Sequence, residues 1–137
     1  LGIWIPERKL GLSFPLPVSA SKFPIFYWEA LCVYSALKLA VDHAQLLSSK
    51  LRRMVIFTDS KNTVDIFDSL RAAPSYNNIL KWSVDILLDS KVELRVVHIP
   101  GEQNVIADAL SRRNFQQTHA LVPSVTIVPF IPPRNAL

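Results

Sequence analysis

Apolar residues recur along the chain in patterns of different period, and each pattern predicts an element. The opening stretches LGIWIPE and KLGLSFP read as two short strands joined by a polar turn at Glu7 to Lys9, a hairpin. PLPVSASKFP, with its three prolines, reads as a loop. From about Ile25 to Leu47 the apolar positions fall at helical spacing: Phe26, Ala30, Val33, Leu37, Val41 and Ala44. Residues 52–58, RRMVIFT, are a continuous apolar run of strand length, which predicts a central strand buried on both faces. DSKNTVDIFDSLRA predicts a short helix with Val64, Phe67 and Leu70 inward, stopped by Pro74. YNNILKWSVDILLDS predicts another helix, KVELRVVHI a strand, and the residues after Pro100 and Gly101 a last helix. From Asn114 onward the chain is Pro-rich without helical period. Residues 1–112 therefore read as the folded domain and 113–137 as a linker or tail, with one extended segment at SVTIVPFI.

The order hairpin, helix, strand, helix, helix, strand, helix implies an α/β fold: a mixed sheet with helices on both faces. A chain of 137 residues, half of them apolar, can bury one core. A formal charge of +4 and a pI near 9.5 suit a polyanionic partner. Cys32 is the single cysteine, so neither an internal disulfide nor a cysteine zinc site can form, and a reducing, intracellular compartment is expected. No run of about 18 apolar residues would span a membrane. The first residues lack the pattern of a signal peptide, and the start at Leu1 reads as a cut from something longer. The three glycines do not cluster, which argues against a Gly-rich phosphate loop and a doubly wound nucleotide binder.

Three acids occupy unusual places in this frame. Glu29 falls on the apolar arc of its helix, one residue before Ala30 and four before Val33. Asp59 directly follows the strand ending in Thr58, at the carboxyl end where open α/β sheets bind ligands. Asp108 sits among Ile106, Ala107, Ala109 and Leu110 of the last helix. Clustered carboxylates in low dielectric need a proton or a cation, and oxygen ligands without cysteine favour Mg²⁺ or Mn²⁺. Each acid also has a plainer reading: Asp59 as a helix N-cap, Glu29 as a solvated first-turn acid, Asp108 as a surface acid near an N-terminus. Asp42, Asp65, Asp68, Asp85 and Asp89 are assigned to wet helix faces, and His98 to a structural hydrogen bond.

The succession of an acid on the first helix, TDS after the next strand and an acid on the final helix resembles a known family. FYWEALCVYSALKLA, VIFTDSKNTVDIF and HIPGEQNVIADALSR are similar to segments of the ribonuclease H domain that follows reverse transcriptase in retrotransposon polyproteins, of gypsy-like or tyrosine-recombinase type. The resemblance covers roughly Leu1 to Arg112. It implies two-metal hydrolysis of the RNA strand of an RNA–DNA hybrid, with Mg²⁺ or Mn²⁺ ions about 4 Å apart. Asp108 would serve the metal that holds the nucleophile, Asp59 would lie between the metals, and Glu29 would serve the other. Lys61, Asn62 and Arg112 are the expected contacts to sugar and phosphate.

Two departures qualify the resemblance. The family carries a further carboxylate in an Asp-Ala-Ser segment before a Gly-x-Gly-x-Trp stretch, and LGIWIP matches only the end of that stretch. The first strand is thus expected to be truncated, with its acid several residues before Leu1. The loop PGEQN also lacks the histidine found in cellular members. The implied function is a ribonuclease H domain impaired as an isolated fragment. The alternative is a non-catalytic remnant that keeps the fold as a binding or structural module.

Overall fold

The computed structural model describes residues 1–133, the side chains of Ser21, Ser75 and Tyr76 excepted. The opening hairpin forms as the alternation predicts. β1 (Gly2–Ile5) and β2 (Leu10–Ser13) pair antiparallel, Gly2 opposite Ser13 and Ile5 opposite Leu10. Pro6–Arg8 makes a single 3₁₀ turn, and Lys9 reverses the chain at φ 46°. The long helix α1 (Ile25–Leu46) follows, burying Ala30, Leu31, Val33, Leu37 and Val41. β3 (Arg53–Thr58) then passes through α2 (Lys61–Ser69) and α3 (Pro74–Ser90) to β4 (Glu93–His98). β4 runs parallel to β3, Arg53 opposite Glu93 and Thr58 opposite His98, as a helical crossover permits. A 3₁₀ turn at Gly101–Gln103 leads into α4 (Val105–Ser111), α5 (Phe115–Leu121) and β5 (Thr126–Pro129).

The result is the expected mixed α/β architecture. The strands form two ladders, β1-β2-β5 and β3-β4. Helices cover both faces of the hairpin, as alternation along its strands shows. Leu12, with Ile3, Ile5 and Leu10, packs against Trp28, Leu31 and Tyr34 of α1 and Ile79 of α3. Gly2 and Gly11, on the opposite face, lie against α4. A second core joins α1 to the start of the β3-β4 ladder through Leu37, Val41 and Val92.

Four expectations need correction. β3 is not buried on both faces: Val55 is 50% and Phe57 58% exposed, and burial alternates along the strand. A continuous apolar run fixes strand length but cannot show whether an element covers each face. Leu70 does not point inward. It ends α2 in the left-handed conformation, φ 55°, and is 58% exposed. Pro74 does not stop that helix but sits in the first turn of α3, where its missing N–H would have no intrahelical partner.

The stretch expected to be a linker holds α5 and β5. Asn114 caps α5 by accepting the Gln117 N–H at 3.2 Å. β5 lies parallel to β2, and its edge position tolerates Pro129 at its end. β5 falls within the segment SVTIVPFI expected to be extended, whereas the seven residues of α5 are too short to impose a readable period. Residues 134–137, the end of the expected tail, lie outside the described residues.

Phe130, just past β5, is 6% exposed in the main core, and its ring meets that of Phe14 at 6.0 Å between centroids. Phe130→Ala is expected to cost about 3 kcal/mol, because it leaves a cavity among rigid neighbours. Urea unfolding followed by fluorescence measures it, and an unchanged midpoint would show that β5 contributes nothing to the core.

Candidate functional site

The TDS turn is built so that Asp59 has no structural task. Ser60, not Asp59, is the N-cap of α2: its hydroxyl accepts the Thr63 N–H at 3.3 Å and the Thr63 hydroxyl at 2.9 Å. The Ser60 N–H donates to the Thr58 hydroxyl at 3.2 Å, and the Ile99 N–H carries the ladder past the strand end to the Thr58 carbonyl at 2.9 Å. The Asp59 carboxylate is left exposed and enters no ion pair among the described residues. Its neighbour is the turn before α4, since a Cβ at Gly101 would lie 3.7 Å from Asp59 Oδ2. The N-cap reading of Asp59 therefore fails. Serine followed three residues later by threonine was the sequence signal for the cap that does form.

Glu29 lies past the first turn of α1, half-buried between buried Trp28 and Ala30, so it is not a first-turn acid either. It faces the neighbourhood of Cys32, whose thiol it influences electrostatically. Asp108 stands in the first turn of α4 and is ion-paired, its Oδ2 at 3.2 Å from Arg112 Nε. Arg112 donates to Oδ1 as well, at 3.3 Å. Both partners are largely exposed, so the pair adds only about 0.3–0.5 kcal/mol.

β1 draws two of the acid-bearing elements together. The Cys32 thiol on α1 donates to the Gly2 carbonyl at 3.5 Å. On the opposite side of Gly2 the backbone of α4 approaches so closely that any Cβ would sit 2.4 Å from Ala107 O and Ser111 N. Glu29 and Asp108 are thus carried by helices that both touch the start of one strand, while Asp59 abuts the turn feeding α4.

The three side chains do not complete a pocket. Among the described residues no group of three or more His, Cys, Asp or Glu side chains lies close enough to hold a metal ion. The donor chemistry suits Mg²⁺ or Mn²⁺, and Asp108 meets Arg112 only in an exposed pair. Of the expected nucleic-acid contacts, Lys61 and Asn62 open α2 with exposed side chains, whereas the Arg112 Nε is committed to Asp108. His98 ends β4 exposed, and among the described residues it makes no side-chain hydrogen bond such as was expected of it. Burial raises the Cys32 thiol to about 11. No helix among the described residues is long and apolar enough to cross a membrane.

A family model described as reverse transcriptase-like matches residues 24–114, the span from the start of α1 to the cap of α5. No curated protein and no solved structure matches the chain.

Two outcomes follow from the contacts at Gly2. Gly2→Ala is expected to displace α4 and to lower stability by about 1–3 kcal/mol, read from thermal unfolding; an unchanged transition would mean that α4 is not fixed by this approach. Because the folded thiol titrates above its ordinary value near 9, Cys32 contributes stability that is complete below about pH 9 and is lost as pH rises toward about 11. Urea midpoints across that range should fall more steeply for the wild type than for Cys32→Ala, and parallel curves would contradict the burial of the thiol.

Proposed function

The chain belongs to the reverse transcriptase-like family and is a ribonuclease H-like domain, and from that premise we propose that it acts on RNA–DNA hybrids within a retroelement polyprotein, beside an upstream reverse transcriptase domain. The supporting observation is the placement of Glu29 on α1, Asp59 directly after β3 and Asp108 on α4, with β1 and the Gly101 turn bringing their elements together. These three are the proposed catalytic carboxylates. Mg²⁺ or Mn²⁺ is the proposed cofactor, which Glu29, Asp59 and Asp108 would hold through their carboxylate oxygens.

What the chain's own residues supply is positioning. Asp59, exposed at a strand end and in no ion pair among the described residues, is free to meet a ligand, and the Ser60 and Thr63 hydroxyls hold its turn. Lys61 and Asn62 stand next to it, placed to meet phosphate and sugar oxygens. Hybrid recognition by shape and phosphate suits the net charge of +4 and makes affinity fall with salt. The second reading, a module that binds without chemistry, is favoured by one observation: the Asp108–Arg112 pair neutralises the carboxylate a metal would need. Both readings place the protein in a reducing compartment, consistent with one unpaired thiol.

A labelled RNA–DNA hybrid incubated with the chain and Mn²⁺ tests the proposal. The expected result is salt-sensitive binding of the hybrid, with slow cleavage that Asp59→Asn abolishes. Robust cleavage dependent on Asp59 would show that the carboxylates assemble on the substrate and would remove the impairment. Cleavage that survives Asp59→Asn would move the chemistry elsewhere, and absence of any hybrid binding would sink the assignment.

A further inference from the structure

Behind the turn that carries Asp59 runs an open groove of about 360 Å³ between the start of α1, the length of α2 and the residues after it. Its apolar lining is Phe26, Ile66, Ala72 and Ala73, and its polar lining is Asn62, Asp65, Ser69 and Arg71. The groove is made by the end of α2. Leu70 adopts φ 55° without being glycine, turning the chain back so that Arg71, Ala72 and Ala73 form a rim. Ser69 fixes that turn: its hydroxyl donates to the Asp65 carbonyl at 2.7 Å and accepts the Arg71 N–H at 3.2 Å.

The lining has a definite chemistry. Phe26 belongs to the apolar arc of α1 yet is 40% exposed, so its ring is offered to the groove rather than packed into the core. Arg71 is exposed and enters none of the ion pairs found among the described residues. Asp65 and Asn62 lie one helical turn apart on α2, a hydrogen-bond acceptor beside an amide that both donates and accepts. A free aromatic face, a planar acceptor edge and an unpaired guanidinium suit a base and its phosphate. The volume lies at the lower end of the range for small-molecule sites, about 300–1,000 Å³.

We propose that this groove holds one unstacked nucleotide unit, its base against Phe26, an exocyclic amino group toward Asp65 and its phosphate at Arg71. The carboxylate makes the site selective: adenine, cytosine and guanine offer it an exocyclic amino group, and uracil has none. Where the unit belongs to a bound strand, the inference rests on the hybrid-binding reading above. The groove then lies beside Lys61 and Asn62, and would seat a nucleotide displaced from the duplex held at Asp59.

The test uses the whole chain, with AMP, UMP, a blunt RNA–DNA hybrid and the same hybrid carrying one bulged adenosine. AMP should shift the backbone amide resonances of Asn62, Ile66, Ala72 and Ala73, with UMP much weaker. Phe26→Ala should weaken AMP roughly ten-fold by loss of stacking, with wild-type unfolding because the ring is exposed. Arg71→Ala should weaken AMP but leave adenosine unchanged. The bulged hybrid should bind more tightly than the blunt one, and Phe26→Ala should erase the difference. AMP binding without any hybrid binding would support the groove as a site for free nucleotides while removing the hybrid reading. Hybrid binding with no response to AMP and no preference for the bulge would overturn the groove and leave that reading standing. Equal binding of AMP and UMP would overturn the role given to Asp65.

Discussion

The arrangement around the candidate site depends on one close approach, that of α4 to the first strand. Gly2 has no Cβ, and the backbone of α4 occupies the space where one would stand. Gly11, opposite Trp4 on the neighbouring strand, leaves room in the same way for the side chain of Leu110, which is fully buried. With Ser13 donating from its hydroxyl to the Leu110 carbonyl at 2.9 Å, a helix of only seven residues is fixed at three points. Such a helix has little stability of its own. Its position, and with it that of Asp108, is set by the strands beneath it.

The same economy governs the turn after β3. Short hydroxyl side chains at Thr58, Ser60 and Thr63 satisfy the backbone at the start of α2, so the carboxylate between them is not consumed by the fold. At the other end of α2 a left-handed leucine and the Ser69 hydroxyl fold the chain back. One helix of nine residues thereby presents an unpaired acid before its first turn and a mixed polar and aromatic groove along its side. Asp108 is the contrast. Its partner four residues on, the C-cap of α4, lies in the favourable orientation for a helix pair. A carboxylate answered by its own helix gains less from meeting two others.

Much of the fold was legible because the long elements carry strong periods. The 22 residues of α1 repeat their apolar positions over about six turns, and the bounds of that helix match the pattern closely. The hairpin and both strands of the parallel pair were equally plain. The end of the domain was not. β5 reaches the sheet only by pairing with β2, a partner more than a hundred residues away in sequence, and no local pattern announces a pairing of that range. Asp65 shows the limit differently: its place on a wet helix face was read correctly, but the groove it lines depends on where Arg71 and Phe26 come from.

The amino-acid sequence by itself determined the element order, the inward face of α1 and the three element positions at which Glu29, Asp59 and Asp108 stand, because these follow from the 3.6- and 2-residue periods and from turn chemistry within a few residues. Only the tertiary structure decided which faces of the strands are covered, that the extended segment after Arg112 pairs with β2, and that the helices carrying Glu29 and Asp108 meet at the first strand. Those outcomes rest on contacts between elements far apart in the chain, such as Gly2 against α4 and β2 against β5. Packing of that kind is settled by how the elements' surfaces fit, which no local reading of residues contains.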